Sequence, residues 1–104
     1  MWAIIGLGNP GRRYRWSRHN IGFCVLDSAA DYYKIKFRRN SQIPSFTGRG
    51  AINSKQVILV KPLTYMNQSG LAVKAVQETY NIGLDKILVI LDDVALLWGR
   101  FRLR

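Results

Sequence analysis

Short apolar runs alternate with amphipathic stretches along this chain. Trp2-Ala-Ile-Ile-Gly-Leu7, Val57-Ile-Leu-Val60 and Ile87-Leu-Val-Ile-Leu91 are brief and apolar, and turn residues or Pro62 follow them. Such runs read as interior strands. From Asn20 to Tyr33, Ile21, Cys24, Val25, Ala29 and Tyr32 fall on one helical stripe, with Asn20 as N-cap and Gly22 weakening the first turn. A second helix is expected with Ala72, Ala75, Val76, Thr79 and Tyr80 on one face, Ser69 as N-cap and Asn81-Ile82-Gly83 as its stop. Residues 36–53 are polar and carry Pro44, Gly48 and Gly50, which suits short strands or loop. Arg100-Phe-Arg-Leu-Arg104 alternates charged and apolar side chains as an amphipathic strand would. Strand, helix, strand, helix, strand predicts an α/β layered fold with a mixed, mainly parallel sheet flanked by helices. Three to five strands with two helices would leave one sheet face or edge poorly covered. The last residues also lie inside a strand signal, so residues 1–104 are expected to form a single, incomplete domain.

Composition narrows the class. With 48% hydrophobic and 21% charged residues over 104 positions, the chain is that of a globular domain. No apolar run approaches the length of a membrane span, and the first residues lack the basic n-region of a secretory signal. Cys24 is the single cysteine, which excludes an intrachain disulfide and suits a reducing, cytoplasmic setting. One histidine and one cysteine also leave no zinc site of the usual kind. Charge changes the picture more. Sixteen Lys and Arg against six Asp and Glu give +10, a field that attracts polyanions. Arg12, Arg13, Arg15, Arg18, Arg38, Arg39, Arg49, Arg100, Arg102 and Arg104 dominate, and Tyr14 and Trp16 offer stacking surfaces between arginines.

The candidate chemistry gathers after the three strands. His19 is the only histidine and follows the first strand in a glycine-rich, basic loop. Its imidazole titrates near neutrality and so can serve as a general base. Asn9 follows the first strand, Tyr65-Met66-Asn67 the second, and Asp92-Asp93 the third. If the strands are parallel neighbours, all these groups leave one sheet edge, where open α/β sheets build their sites. A carboxylate beside the imidazole would fix its tautomer and raise its basicity, and asparagines could hold a water or stabilise an oxyanion. No activated nucleophile accompanies them: Ser17 lacks a nucleophile elbow and Cys24 lies in the helical stripe. The set suits water activation without a covalent intermediate. Taken singly, each group also has an ordinary structural reading: an exposed loop histidine, a capping asparagine, a core methionine, acids closing a strand. Gly6-Leu-Gly8-Asn-Pro10-Gly11 also matches a dinucleotide fingerprint. Pro10 interrupts it, no helix opens at its last glycine, and Asp31 lies inside a helix rather than at a strand end.

The strings GLGNPGxxYxxxRHNIGF, KPxTYMNxSGxAV and ILVILDD occur here in that order. Together they resemble the bacterial peptidyl-tRNA hydrolase family, from Ile4 to Arg104. The resemblance implies that family's α/β fold and hydrolysis of the ester joining an N-blocked aminoacyl or peptidyl group to tRNA, with no metal or cofactor. It also implies roles. His19 matches the catalytic base and Asp92 the residue that keeps that base ready to accept a proton. Asn9 matches the position that senses the blocked nitrogen of the substrate. Tyr14, Tyr65 and Asn67 match substrate-contacting positions, and Met66 lines the cleft. The expected partner is peptidyl-tRNA, with no membrane; family members are usually monomeric, while an uncovered sheet would favour association of this chain.

Departures accompany the match. Ala95-Leu96-Leu97-Trp98 stands where the family usually has an Asp-Leu-Pro stretch, and Trp16 and Ser17 replace residues that are commonly Ala and Thr. The family's later glycine-rich loop, further strands and C-terminal helix have no counterpart here. Two other readings follow: a non-catalytic RNA-binding module on the same scaffold, and an unrelated basic domain binding a nucleotide through its first glycine turn. Asn9, His19, Asn67 and Asp92 argue against the former and Pro10 against the latter.

Overall fold

The computed structural model describes residues 1–7, 21–63, 69–91 and 94–97. Strand β1 spans Trp2–Gly6, helix α1 Ile21–Tyr33, β2 Arg38–Asn40, β3 Ser45–Ile52 and β4 Lys55–Pro62. Helix α2 follows at Ser69–Tyr80, then a 3₁₀ turn at Leu84–Lys86, β5 at Ile87–Leu91 and β6 at Val94–Leu97. One six-stranded sheet has the order β2-β3-β4-β1-β5-β6. Strands β4 and β5 both pair with β1 in parallel, while the pairs β2–β3, β3–β4 and β5–β6 are antiparallel. The mixed sheet flanked by helices is therefore as expected, but it has six strands and is not mainly parallel. The polar stretch 36–53 and the β5–β6 hairpin add antiparallel edges, so only the three central strands pair in parallel. Those three are the apolar runs of the sequence, as strands buried on both faces must be. The polar stretch 36–53 supplies the antiparallel edge, where one face can remain wet.

Alternation along the central strands feeds two cores. Ala3 and Ile5 of β1, Ile58 and Val60 of β4, and Ile87 and Val89 of β5 pack with Val73 and Val76 of α2. On the other face Val57 and Leu59 pack with Leu26 and Ala30 of α1 and with Ile35, and Ile4 and Ile90 border them. Beside that second core, an apolar groove of about 230 Å³ lies between Trp2, Ile4, Ile52, Val57 and Leu88. Part of this sheet face is thus left open, as the two-helix count implied.

The helices differ from their expected faces. Along α1 the buried row is Gly22, Leu26 and Ala30, whereas Val25 is 40% and Tyr32 79% exposed and Cys24 is also exposed. A row at i, i+4, i+8 with two small residues lets the helix lie close to the sheet, which the bulkier stripe would not. In α2, Val73 joins Ala72 and Val76 in the core, while Thr79 is exposed.

Both helices end the same way. Lys34 (φ 58°) and Asn81 (φ 52°) adopt the left-handed conformation. Ile35 N–H then donates to Ala30 C=O at 2.8 Å and Ile82 N–H to Gln77 C=O at 3.2 Å. These are Schellman closures, and each buries the apolar residue that follows. Pro62 proves to be the last residue of β4, paired with Ser45. A proline is tolerated at that terminal position.

Candidate active site

Parallel pairing sends the carboxyl ends of β1, β4 and β5 to one edge of the sheet. Ile5 stands beside Val60 of β4 and Val89 of β5, and Gly6 beside Ile90. Leu7 N–H donates to Ile90 C=O at 3.0 Å, which carries the β1–β5 contact one residue past the strand. The chain therefore leaves all three central strands at the same edge, as the candidate site requires.

Helix α1 begins against this edge. A Cβ on Gly22 would come within 2.5 Å of the Leu7 carbonyl oxygen and 2.7 Å of that of Ile90; one on Gly6 would meet the Gly22 carbonyl at 2.5 Å. Only glycine at both positions lets the first turn of α1 rest directly on the ends of β1 and β5. By helix propensity alone Gly22 weakens the first turn; tertiary contact is what favours glycine there.

A cation is also held here. Lys61, next to the end of β4, donates to Asp27 of α1 at 2.6 Å and lies 4.2 Å from the Phe37 ring centroid. Its side chain is 17% exposed, against 57% for Asp27. The contact ties α1 to β4 and keeps a positive charge near the edge. In the sequence Lys61 stands only as part of the KPxTYMNxSGxAV motif; a lysine directly before Pro62 at a strand end is the signal for its role.

Asn9, Tyr14, His19, Tyr65, Met66, Asn67 and Asp92 lie outside the described residues, as do Asn20 and the Arg100–Arg104 stretch. What the described residues provide is a framework of three strand ends and the first turn of α1. No helix among the described residues is long and apolar enough to cross a membrane.

Comparison with known proteins gives the same grouping. The peptidyl-tRNA hydrolase family model matches residues 3–104. The peptidyl-tRNA hydrolase of Clostridium beijerinckii is 49% identical over all 104 residues, which cover 54% of that protein. That of Lachnospira eligens is 46% identical over the same span, 55% of its length. A crystal structure of peptidyl-tRNA hydrolase from Acinetobacter baumannii superposes with a TM-score of 0.81 at 39% identity, covering 86% of this chain and 45% of that one. The chain thus spans about half the length of the curated relatives it matches. By the family match over residues 3–104 and by this likeness in sequence and fold, the chain belongs to the peptidyl-tRNA hydrolase family.

Proposed function

We propose that this chain carries the water-activating half-site of a peptidyl-tRNA hydrolase and acts on the ester bond of N-blocked aminoacyl- or peptidyl-tRNA. One observation carries the reading: β1, β4 and β5 end at one edge, with the first turn of α1 resting on it. Chain connectivity ties Asp92 to the end of β5 and His19 to the start of α1, two residues away. Tyr65, Met66 and Asn67 follow β4, and Asn9 follows β1.

In this reading His19 takes a proton from a water whose oxygen attacks the ester carbonyl carbon. The tetrahedral intermediate collapses, the ester C–O bond breaks, the imidazolium proton passes to the departing ribose oxygen, and the new carboxylic acid loses its proton to solvent. Peptide carboxylate and free tRNA result. Asp92 holds the imidazole in the tautomer that accepts the proton. Asn67 and Asn9 donate to substrate oxygens, Asn9 reading the blocked nitrogen's acyl group. Tyr14 and Tyr65 contact the substrate and Met66 lines the cleft. A cytoplasmic location fits both the substrate and the single cysteine.

The test is turnover of N-acetyl-aminoacyl-tRNA by the chain and by His19→Ala. Loss of a general base lowers the rate by about 10² to 10⁴. Binding of tRNA should persist. Equal hydrolysis by both proteins would refute the assignment, and binding without any hydrolysis by the unaltered chain would favour the non-catalytic RNA-binding module.

A further inference from the structure

We propose that Lys34, Lys36, Arg38 and Arg49 form a second contact surface for the phosphate backbone of RNA, a basic groove along the outer edge of β3 that leads toward the carboxyl edge of the central strands. The groove is an open depression of about 440 Å³ lined by these four cations with Thr47 and Gly48. All four cationic side chains are exposed, and no carboxylate among the described residues lines the groove. Among the described residues the ion pair is Lys61–Asp27, so none of the four is held in one.

Their arrangement is built by the fold. Between α1 and β2 the chain reads Lys34-Ile35-Lys36-Phe37-Arg38, and burial alternates with it: Ile35 is buried and Phe37 half-buried, while the three cations face solvent. Ile35 packs where Gly48 and Gly50 leave room, since a Cβ on Gly50 would come within 2.5 Å of its side chain. That anchor fixes which side of the segment carries charge. Arg49 comes from β3 and lies 5.2 Å over the Tyr80 ring, whose hydroxyl accepts from Asn40 Nδ2 at 2.8 Å. A stacked guanidinium loses less freedom on meeting a phosphate than an unsupported one.

Direction favours a long anion over a small one. Strand β2 is antiparallel to β3 and β3 to β4, so Arg38–Asn40 runs the same way as β4 and β1. Asn40 pairs with Ser45, which pairs with Pro62 at the carboxyl end of β4. Arg38 is opposite Thr47, which pairs with Val60, so the cations form a track that points toward the carboxyl end of β4. A polymer with evenly spaced phosphates could follow this track. That the polymer is RNA rests on the functional reading above.

The experiment measures the affinity of the full chain for labelled, deacylated tRNA over a salt series. Lys34→Gln/Lys36→Gln/Arg38→Gln is compared with Lys55→Gln/Lys74→Gln/Lys86→Gln, which removes the same charge from exposed positions elsewhere. The groove variant should bind about tenfold or more weakly near 0.1 M salt, with a log–log salt slope shallower by about 2 to 3. The control should change far less. Lys36→Glu alone supplies a second variant with the fold intact by circular dichroism, and it should weaken binding in the same direction. Equal effects of the two triple variants would overturn the proposal in favour of a diffuse basic surface. Unchanged binding by the groove variants would overturn it too, leaving the cations as guards of the exposed β3 edge. Because the readout is binding of a tRNA without an ester, failure here leaves hydrolysis to be judged separately by the His19 test.

Discussion

Gly22 joins a local weakness to a tertiary need. Its hydrogen occupies the space between the Leu7 and Ile90 carbonyls, and those neighbours are backbone that cannot turn aside. Gly22→Ala would improve helix propensity by about 1 kcal/mol in isolation. Here it should instead destabilise the protein by about 1–3 kcal/mol through overpacking. Urea denaturation reads the sign directly, and a gain in stability would show that α1 can shift at no cost. The Lys61–Asp27 contact invites a paired comparison. Asp27 is mostly exposed, so Asp27→Asn should cost less than about 1 kcal/mol. Lys61→Ala should cost more, because it also removes a largely covered stem and the ammonium over Phe37. Equal losses in thermal melts would assign the whole effect to the ion pair. On the proposed assignment, Asp92→Asn belongs at this scale as well: removing a negative charge from beside the base should lower the imidazole pKa, moving the acidic limb of hydrolysis to lower pH. An unshifted pH profile would separate Asp92 from His19.

At the scale of elements, the described buried row of α1 against the sheet carries one large side chain. Leu26 is 1% exposed between Gly22 and Ala30, and it is the bulky member of that row. Leu26→Ala should cost about 2–5 kcal/mol, a transfer loss plus a cavity that neighbouring small residues cannot fill. Calorimetry or chemical denaturation would measure it, and a loss below about 1 kcal/mol would mean that α1 docks through other contacts. Existence and order of the elements were legible because three apolar runs and two amphipathic stretches have different periods. The helical faces were less legible. Counting bulky apolar residues chose Val25 and Tyr32, whereas the sheet selected Gly22 and Ala30 for their small size. Strands β2 and β3 were obscure for a related reason: a half-wet antiparallel edge carries little apolar signal, and Arg49 or Arg39 reads as surface until pairing is known.

Across the whole molecule, net charge and sheet topology act together. A charge of +10 on a body with a Cα radius of gyration of 12.4 Å should give RNA binding that weakens steeply with salt. Filter binding at two ionic strengths would reveal it, and salt-independent affinity would argue that the field contributes little. Amino-acid order alone determined the α/β class, the three interior strands, both helices with the Asn81 stop, the basic character, and the motifs that carry the family. Each depends on local periodicity or on residue type, which a linear chain displays in full. Only the tertiary structure decided that β1 lies between β4 and β5, so that three strand ends distant in sequence meet at one edge. The same packing decided that position 22 favours glycine and that Lys34, Lys36 and Arg38 line one groove with Arg49. Strand neighbours are chosen by how two helices cover two faces of a sheet, a condition set by contacts between segments and written in none of them alone.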